Sequence, residues 1–283
     1  MMMIIINQRV AIALSLLCIV AVFTSSCNNI FLFYPNYNGN KNSVAYAQQS
    51  SSRNGQAVTF ITDDGVSIVG TYYAPSSGLK DSTPTIILLH MLGKDRSTWN
   101  TFASALSHKG YAVLSIDLRG QGESIKQGSS TVSYQSFTEN DFNKMTLDVK
   151  AAKQFLIEQK NANPDRMAVI GASIGANIAL NYAATLDPTI KIVILLSPGL
   201  NYRGVATSDT ITKYKNPIYI AATEGDSESA KDSQTLCDKI NCGENLKIYS
   251  GSSSHGTNMF SESLNPPLQD LIMSWLSSSL PPM

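Results

Sequence analysis

The chain has 283 residues, 43% of them hydrophobic and 15% charged, with 21 Lys+Arg against 21 Asp+Glu. That supports a sizeable core and excludes a disordered, solvating chain. The balanced charge and the lack of any Lys/Arg run argue against a nucleic-acid partner, and the length suits one large α/β domain.

The N-terminus reads as an export signal. After Arg9 an apolar run extends from Val10 to Phe23, broken only by Ser15. It is shorter than the roughly 20 residues that a spanning helix prefers, and it ends in small polar residues. Thr24-Ser25-Ser26-Cys27 follows, where small residues before a cysteine make Cys27 a candidate lipidation site. Ala45-Tyr46-Ala47 before Gln48 is a second candidate cleavage site, and an uncleaved membrane anchor is a third reading. All three place the rest of the chain outside the cytoplasm, secreted or anchored. The expected organisation is a signal or anchor over 1–27, a polar tether over 28–55 and a folded domain over 56–283. Of four cysteines, Cys18 and Cys27 fall in the leader. Cys237 and Cys242 are then a candidate local disulfide, with two buried free thiols as the alternative.

Beyond residue 55, strand and helix patterns alternate. Ala57–Thr62 and Val66–Ala74 are β-rich and flank Asp63-Asp64-Gly65, a hairpin signal. Thr85–His90, Tyr111–Ile116, Arg166–Ile170, Ile190–Leu196, Pro217–Ala222 and Asn245–Tyr249 read as further strands; the near-continuous apolar runs among them are typical of buried parallel strands. Helical patterns occupy Thr98–Lys109, Asp141–Lys160, Gly175–Leu186, Ser227–Ile240 and Leu268–Ser278. This order predicts a three-layer α/β sandwich, with a mostly parallel sheet of about eight strands and an antiparallel N-terminal hairpin. No glycine-rich nucleotide motif is present, and neither a cofactor nor a metal is expected.

Three strand ends carry reactive residue types. Gly171-Ala172-Ser173-Ile174-Gly175 lies between a strand and a helix, the setting in which G-x-S-x-G presents a nucleophilic serine. The alternative is a tight turn with an inert serine. Thr223-Glu224-Gly225-Asp226 follows another strand. Asp226 is the favoured acid, Glu224 its rival and Glu228 a weaker one, while a helix N-cap is the competing role for Asp226. The chain has three histidines. His255, in a Gly/Ser loop after the last strand, is the candidate general base. His108 reads as a solvated helix-end residue and His90 as support for the following loop. The backbone N–H of Ile174 and one from His90-Met91-Leu92-Gly93 would form an oxyanion hole, with Leu92 favoured over Met91.

The order Ser173, Asp226, His255, together with Asp64-Gly65, Leu88-Leu89-His90-Met91-Leu92-Gly93 and Asp117-Leu118-Arg119-Gly120-Gln121-Gly122-Glu123-Ser124, resembles the α/β-hydrolase superfamily. The similarity is to its dienelactone-hydrolase-like and small serine esterase branch, over roughly residues 57–280. It departs where His-Gly is usual and His90-Met91 stands, and where dienelactone hydrolases use a cysteine nucleophile. The resemblance implies a serine hydrolase (carboxylesterase-like) acting on small or short-chain esters. In the Asp117–Ser124 stretch, Arg119 and Glu123 are expected to pair. Tyr134 and Phe137 lie in a polar stretch that could contribute to a lid, and the segment after Ser197 is too short for a large cap. A peptidase or acyltransferase would use the same triad, and a non-catalytic binding module would keep the fold alone. The sequence gives no oligomeric state.

Overall fold

The structure is a computed structural model and describes residues 55–282. The candidate signal, Cys18, Cys27, the Ala45-Tyr46-Ala47 site and nearly all of the tether lie outside the described residues.

The chain opens with an antiparallel pair, β1 (Gln56–Ile61) and β2 (Val66–Tyr73). It continues through β3 (Thr85–Leu89), α1 (Asn100–His108) and β4 (Ala112–Ile116). A short hairpin, β5 (Lys126–Gln127) and β6 (Ser130–Thr131), precedes α2 (Glu139–Asn143) and α3 (Thr146–Lys160). Next come β7 (Met167–Ala172), α4 (Ile174–Asn181), β8 (Ile192–Leu196) and a second hairpin, β9 (Asn201–Tyr202) with β10 (Val205–Ala206). β11 (Ile218–Thr223), α5 (Ser227–Ile240), β12 (Leu246–Tyr249) and α6 (Leu268–Ser279) complete it. The ten-stranded sheet has the order β12-β11-β8-β7-β3-β4-β2-β5-β6, with β1 beside β2. Pairings from β4 through β3, β7, β8 and β11 to β12 are parallel.

Every residue of β3, β4, β7, β8 and β11 is buried, as strands covered on both faces must be. Alternate side chains feed two cores. Ile87, Leu89, Val169, Val193 and Ile220 meet α3, α4 and α5 through Val149, Ile178 and Leu236. Ile86, Leu88, Ile170, Ile194 and Ala221 meet α1 and α6 through Phe102, Leu106, Ile272 and Leu276. Parallel strands all end at one edge, so the loops after β3, β7, β8, β11 and β12 gather there.

Several expectations need correction. The helix expected over Asp141–Lys160 is two helices, because Leu147 and Asp148 donate to Lys144 and Met145 in a tighter turn between them. Past Asn181, the helix expected to run to Leu186 widens into a π-turn over Tyr182–Leu186. Within the polar stretch around Tyr134, β5 and β6 extend the sheet edge through β2. Arg119 and Glu123 do not pair. Arg119 donates from Nε to Asp148 Oδ1 at 2.8 Å and from Nη1 to Asp64 Oδ2 at 2.6 Å, while Glu123 pairs with Arg96.

Arg119 is a buried cation between two carboxylates, with side-chain exposure of 4% against 0% for Asp148. Its removal strands a buried charge. Arg119→Met is therefore expected to lower the unfolding free energy by about 3–5 kcal/mol. Glu123→Gln, at a side chain 66% exposed, should stay within about 1 kcal/mol of wild type, both variants being measured by urea unfolding.

Candidate active site

Only one residue separates β7 from α4, so Ser173 must turn the chain by itself. It does so at φ 55°, ψ −125°, a conformation that costs a non-glycine residue about 1–3 kcal/mol. The flanking glycines are sterically required. A Cβ on Gly171 would lie 2.1 Å from Gly175 O, and one on Gly175 would lie 2.5 Å from Leu89 O. α4 thus sits directly against the ends of β7 and β3. Ser173 N–H donates to Leu196 O at 2.8 Å, which locks the turn to β8. Its hydroxyl stands at the positive end of α4, where developing negative charge is favoured.

His255 and Asp226 meet at the same edge. His255 Nδ1 lies 2.6 Å from Asp226 Oδ2, a spacing in which the Nδ1–H donates to the carboxylate and, in the neutral ring, the lone pair falls on Nε2. Asp226 occupies the N-cap position of α5, yet its side chain makes no capping bond. No described hydrogen bond joins the His255 ring to Glu224 or Glu228; its other neighbour is Ser229 Oγ at 3.5 Å. Burial pushes the Asp226 carboxyl up, but the hydrogen bond and charge of His255, helped by Ser229 and Ser197, hold it below the usual carboxylate range.

The histidine loop is tied down at its backbone groups. Ser254 O accepts from Thr223 Oγ1 at 2.8 Å, Ser252 O accepts from Gly225 N–H at 2.8 Å, and Gly256 N–H donates to Ser197 Oγ at 2.9 Å. A Cβ on Gly256 would lie 2.5 Å from Met91 Sδ and 3.2 Å from that of Ala172, so position 255 stands on the same rim as position 173. Ser173 Oγ and His255 share no hydrogen bond among the described residues, a contact that often tightens only when substrate is bound.

On the other side of Ser173 lies the loop after β3. His90 is fully buried, and burial depresses its pKa. Its Nε2 accepts from Leu118 N–H at 3.0 Å, so the proton sits on Nδ1, which donates to Met91 O at 2.7 Å. Met91 O also accepts from Lys94 N–H at 3.2 Å. In a planar trans peptide the C=O and N–H point opposite ways, so Leu92 N–H is turned away from His90. The Ile174 N–H, first in α4, has no intrahelical partner. The His108 ring bonds its own helix, at Ser104 O.

Sequence reasoning missed Ser197, Tyr202 and Ser229. Tyr202 on β9 bonds Ser229 Oγ at 2.9 Å and presents its ring 6.4 Å from that of His255. Ser197 adopts φ 48° at the end of β8. The only sequence signal for Ser197 is its place at the end of a buried strand; the two-residue β9 carries no period that would reveal Tyr202. Cys237 and Cys242 are joined by a disulfide with Cα atoms 4.9 Å apart. Among the described residues no group of three or more His, Cys, Asp or Glu is arranged to hold a metal.

Ser173 holds a backbone conformation that glycine adopts freely. Ser173→Gly is expected to raise the thermal midpoint by relieving about 1 kcal/mol of strain, while Ser173→Ala leaves it within about 0.5 kcal/mol. Paired calorimetric melts of both variants and the wild type check this.

Residues 80–251 match the family described as serine aminopeptidase, S33, over more than half the chain. An uncharacterized protein of Mycobacterium tuberculosis is 30% identical over 144 residues, 51% of this chain and 46% of that one. A serine hydrolase-like protein of Dictyostelium discoideum is 27% identical over 143 residues, 50% of this chain and 35% of that one. The chain thus spans about half the length, or less, of these curated relatives. Among solved structures, an esterase of Pyrococcus furiosus superposes with TM-score 0.63 at 18% identity, covering 80% of this chain and 91% of that one. An acylaminoacyl peptidase of Pyrococcus horikoshii gives 0.60 at 16%, covering 81% and 42%. The strained serine turn, the sheet order and the family match agree: the chain belongs to the serine aminopeptidase S33 family of serine hydrolases, within the α/β-hydrolase superfamily.

Proposed function

We propose that this protein is an exported serine hydrolase that cleaves carboxylic esters of small or short-chain acyl substrates through Ser173, His255 and Asp226. The observation that carries the reading is the 2.6 Å contact of His255 Nδ1 with Asp226, which leaves Nε2 as a base on the rim that bears Ser173. In the first step Ser173 Oγ bonds to the ester carbonyl carbon and His255 Nε2 takes the hydroxyl proton. The carbonyl oxygen becomes an anion, received by the N–H groups of Ile174 and Leu92. Its collapse breaks the bond to the alcohol, which leaves with the proton from His255. Water then attacks the acyl-enzyme by the same route and returns the serine.

The preference for small substrates rests on loop length. Between β8 and β11 the chain adds the hairpin Asn201–Ala206 and a short turn-rich segment, too little for a helical cap. Longer acyl chains would gain little buried area there. Export is supported by the leader of residues 1–27, followed by a tether over 28–55 and the catalytic domain over 56–283; the Cys237–Cys242 bond suits an oxidising compartment. Cys27 would anchor the protein to a membrane by lipidation. Among the described residues no helix is long and apolar enough to cross one.

The test uses a fluorophosphonate label and a series of p-nitrophenyl esters. Wild-type protein should be labelled, and Ser173→Ala should not be, with ester turnover reduced about 10⁴-fold or more. Activity should peak at short acyl chains; a profile still rising beyond about eight carbons would contradict the open pocket. Aminoacyl amides and acyl acceptors run alongside separate an esterase from a peptidase or acyltransferase. An unlabelled wild type would point to a binding module instead.

A further inference from the structure

The stretch Asp117–Ser124 supplies none of the triad, yet it contacts the loop after β3 at three successive places. Leu118 N–H donates to His90 Nε2, Gln121 Oε1 accepts from Gly93 N–H at 2.6 Å, and Asp117 Oδ1 accepts from Arg96 N–H at 2.7 Å. Asp117 is fully buried and also forms an ion pair with Arg96, so the far end of the loop is anchored by charge. The near end is anchored by the imidazole of His90. Gln121 acts in the middle, on the peptide next to the one that carries Leu92 N–H.

Gln121 is 3% exposed, and its Nε2 is buried without a hydrogen-bond partner. Burying an amide with an orphaned donor costs stability, a cost that an apolar side chain of similar length would avoid. What glutamine supplies in its place is an acceptor for Gly93 N–H. Gly93 has φ 71°, a region with little intrinsic preference for one loop shape in glycine, so an external bond must set its orientation. With Met91 O held by His90 and Lys94, and Gly93 N–H held by Gln121, the peptides on both sides of Leu92 are fixed.

We propose that Gln121 is a positioning residue for the oxyanion hole: its side-chain carbonyl fixes the Leu92–Gly93 peptide and so aims Leu92 N–H at the reacting carbonyl oxygen. This rests on the reading above, with Ser173 as nucleophile and Leu92 as loop donor. Gln121 does not touch substrate. Its contribution lies in keeping the donor in place as charge develops, and misplacing a donor affects the transition state more than the bound ester.

Two variants of the full chain test this. Gln121→Met keeps the volume without a strong acceptor; Gln121→Asn keeps the amide but, one methylene shorter, draws it back from Gly93. Each should lower kcat for p-nitrophenyl acetate about tenfold with KM within about twofold. Labelling by the fluorophosphonate, whose phosphoryl oxygen uses the same donors while fluoride leaves, should slow by a similar factor. Inhibition by a trifluoromethyl ketone, which forms a tetrahedral anion on the serine, should weaken in parallel. Gln121→Glu, which retains an acceptor, should recover most of kcat. If either Met or Asn variant melts like wild type and keeps kcat and labelling rate within twofold, the positioning role is wrong. If both rise in KM alone, the residue shapes substrate binding and the proposal fails as well. Failure of the underlying reading looks different: wild type unlabelled, or Ser173→Ala still turning over ester.

Discussion

The close approach of α4 to the ends of β7 and β3 is the constraint from which the site follows. With 2.1 Å between a notional Gly171 Cβ and Gly175 O, and 2.5 Å between that of Gly175 and Leu89 O, the helix meets the sheet almost backbone to backbone. A single residue must then reverse the chain, and Ser173 is forced into a region that L-residues avoid. The surrounding core sustains this. β3, β7 and β8 are buried throughout, and the ladder continues one residue past β7 in the bond from Ser173 N–H to Leu196 O. The strain is local and the burial that opposes it is spread over three strands.

Around this turn both sides of the site are held at backbone groups, largely by buried side chains. On the His255 side, Thr223 Oγ1 donates to Ser254 O, Ser197 Oγ accepts from Gly256 N–H, and Gly225 N–H donates to Ser252 O. Such bonds hold a loop at its backbone while leaving its side chain free to rotate, which suits His255 in its proposed role between a carboxylate and a hydroxyl. At the loop after β3 buried side chains act likewise, with His90, Asp117 and Gln121 each seizing a backbone group. Fixed dipoles are what an oxyanion needs, because a donor that must reorganise during reaction loses most of its value.

Much of this was legible in the sequence. The central strands show because strands covered on both faces are apolar runs, and α5 has the bounds Ser227–Ile240 that the glycine-and-acid loops around it predict. The strand ends carrying Ser173, Asp226 and His255 could be lined up because parallel strands share one edge. Other features leave no such trace. β5, β6, β9 and β10 are two residues each, too short for alternation to show. The break before α3 falls at Met145, which is itself buried, so the apolar spacing runs on through it. Arg119 was expected to pair within its own loop because Glu123 is near in sequence. Burial decided otherwise: a guanidinium 4% exposed needs partners that are also brought inward, and Asp148, in the first turn of α3, is one.

The Asp117–Ser124 stretch shows why a motif can be recognised without its purpose being read. Its bonds run to Gly93, Arg96, Asp148, Asp64 and, through Ser124 Oγ at 2.8 Å, to Val69 N–H. Most of these partners are backbone groups or lie well away in sequence, so no residue-type pattern announces them. One short loop thereby connects the β1–β2 hairpin, α3 and the loop after β3. A loop with so many fixed contacts has little freedom to drift, and the proposed oxyanion donor at Leu92 inherits that rigidity. In the proposed mechanism the strained serine supplies the position of the reacting atom, and this neighbouring loop supplies the direction of the field around it.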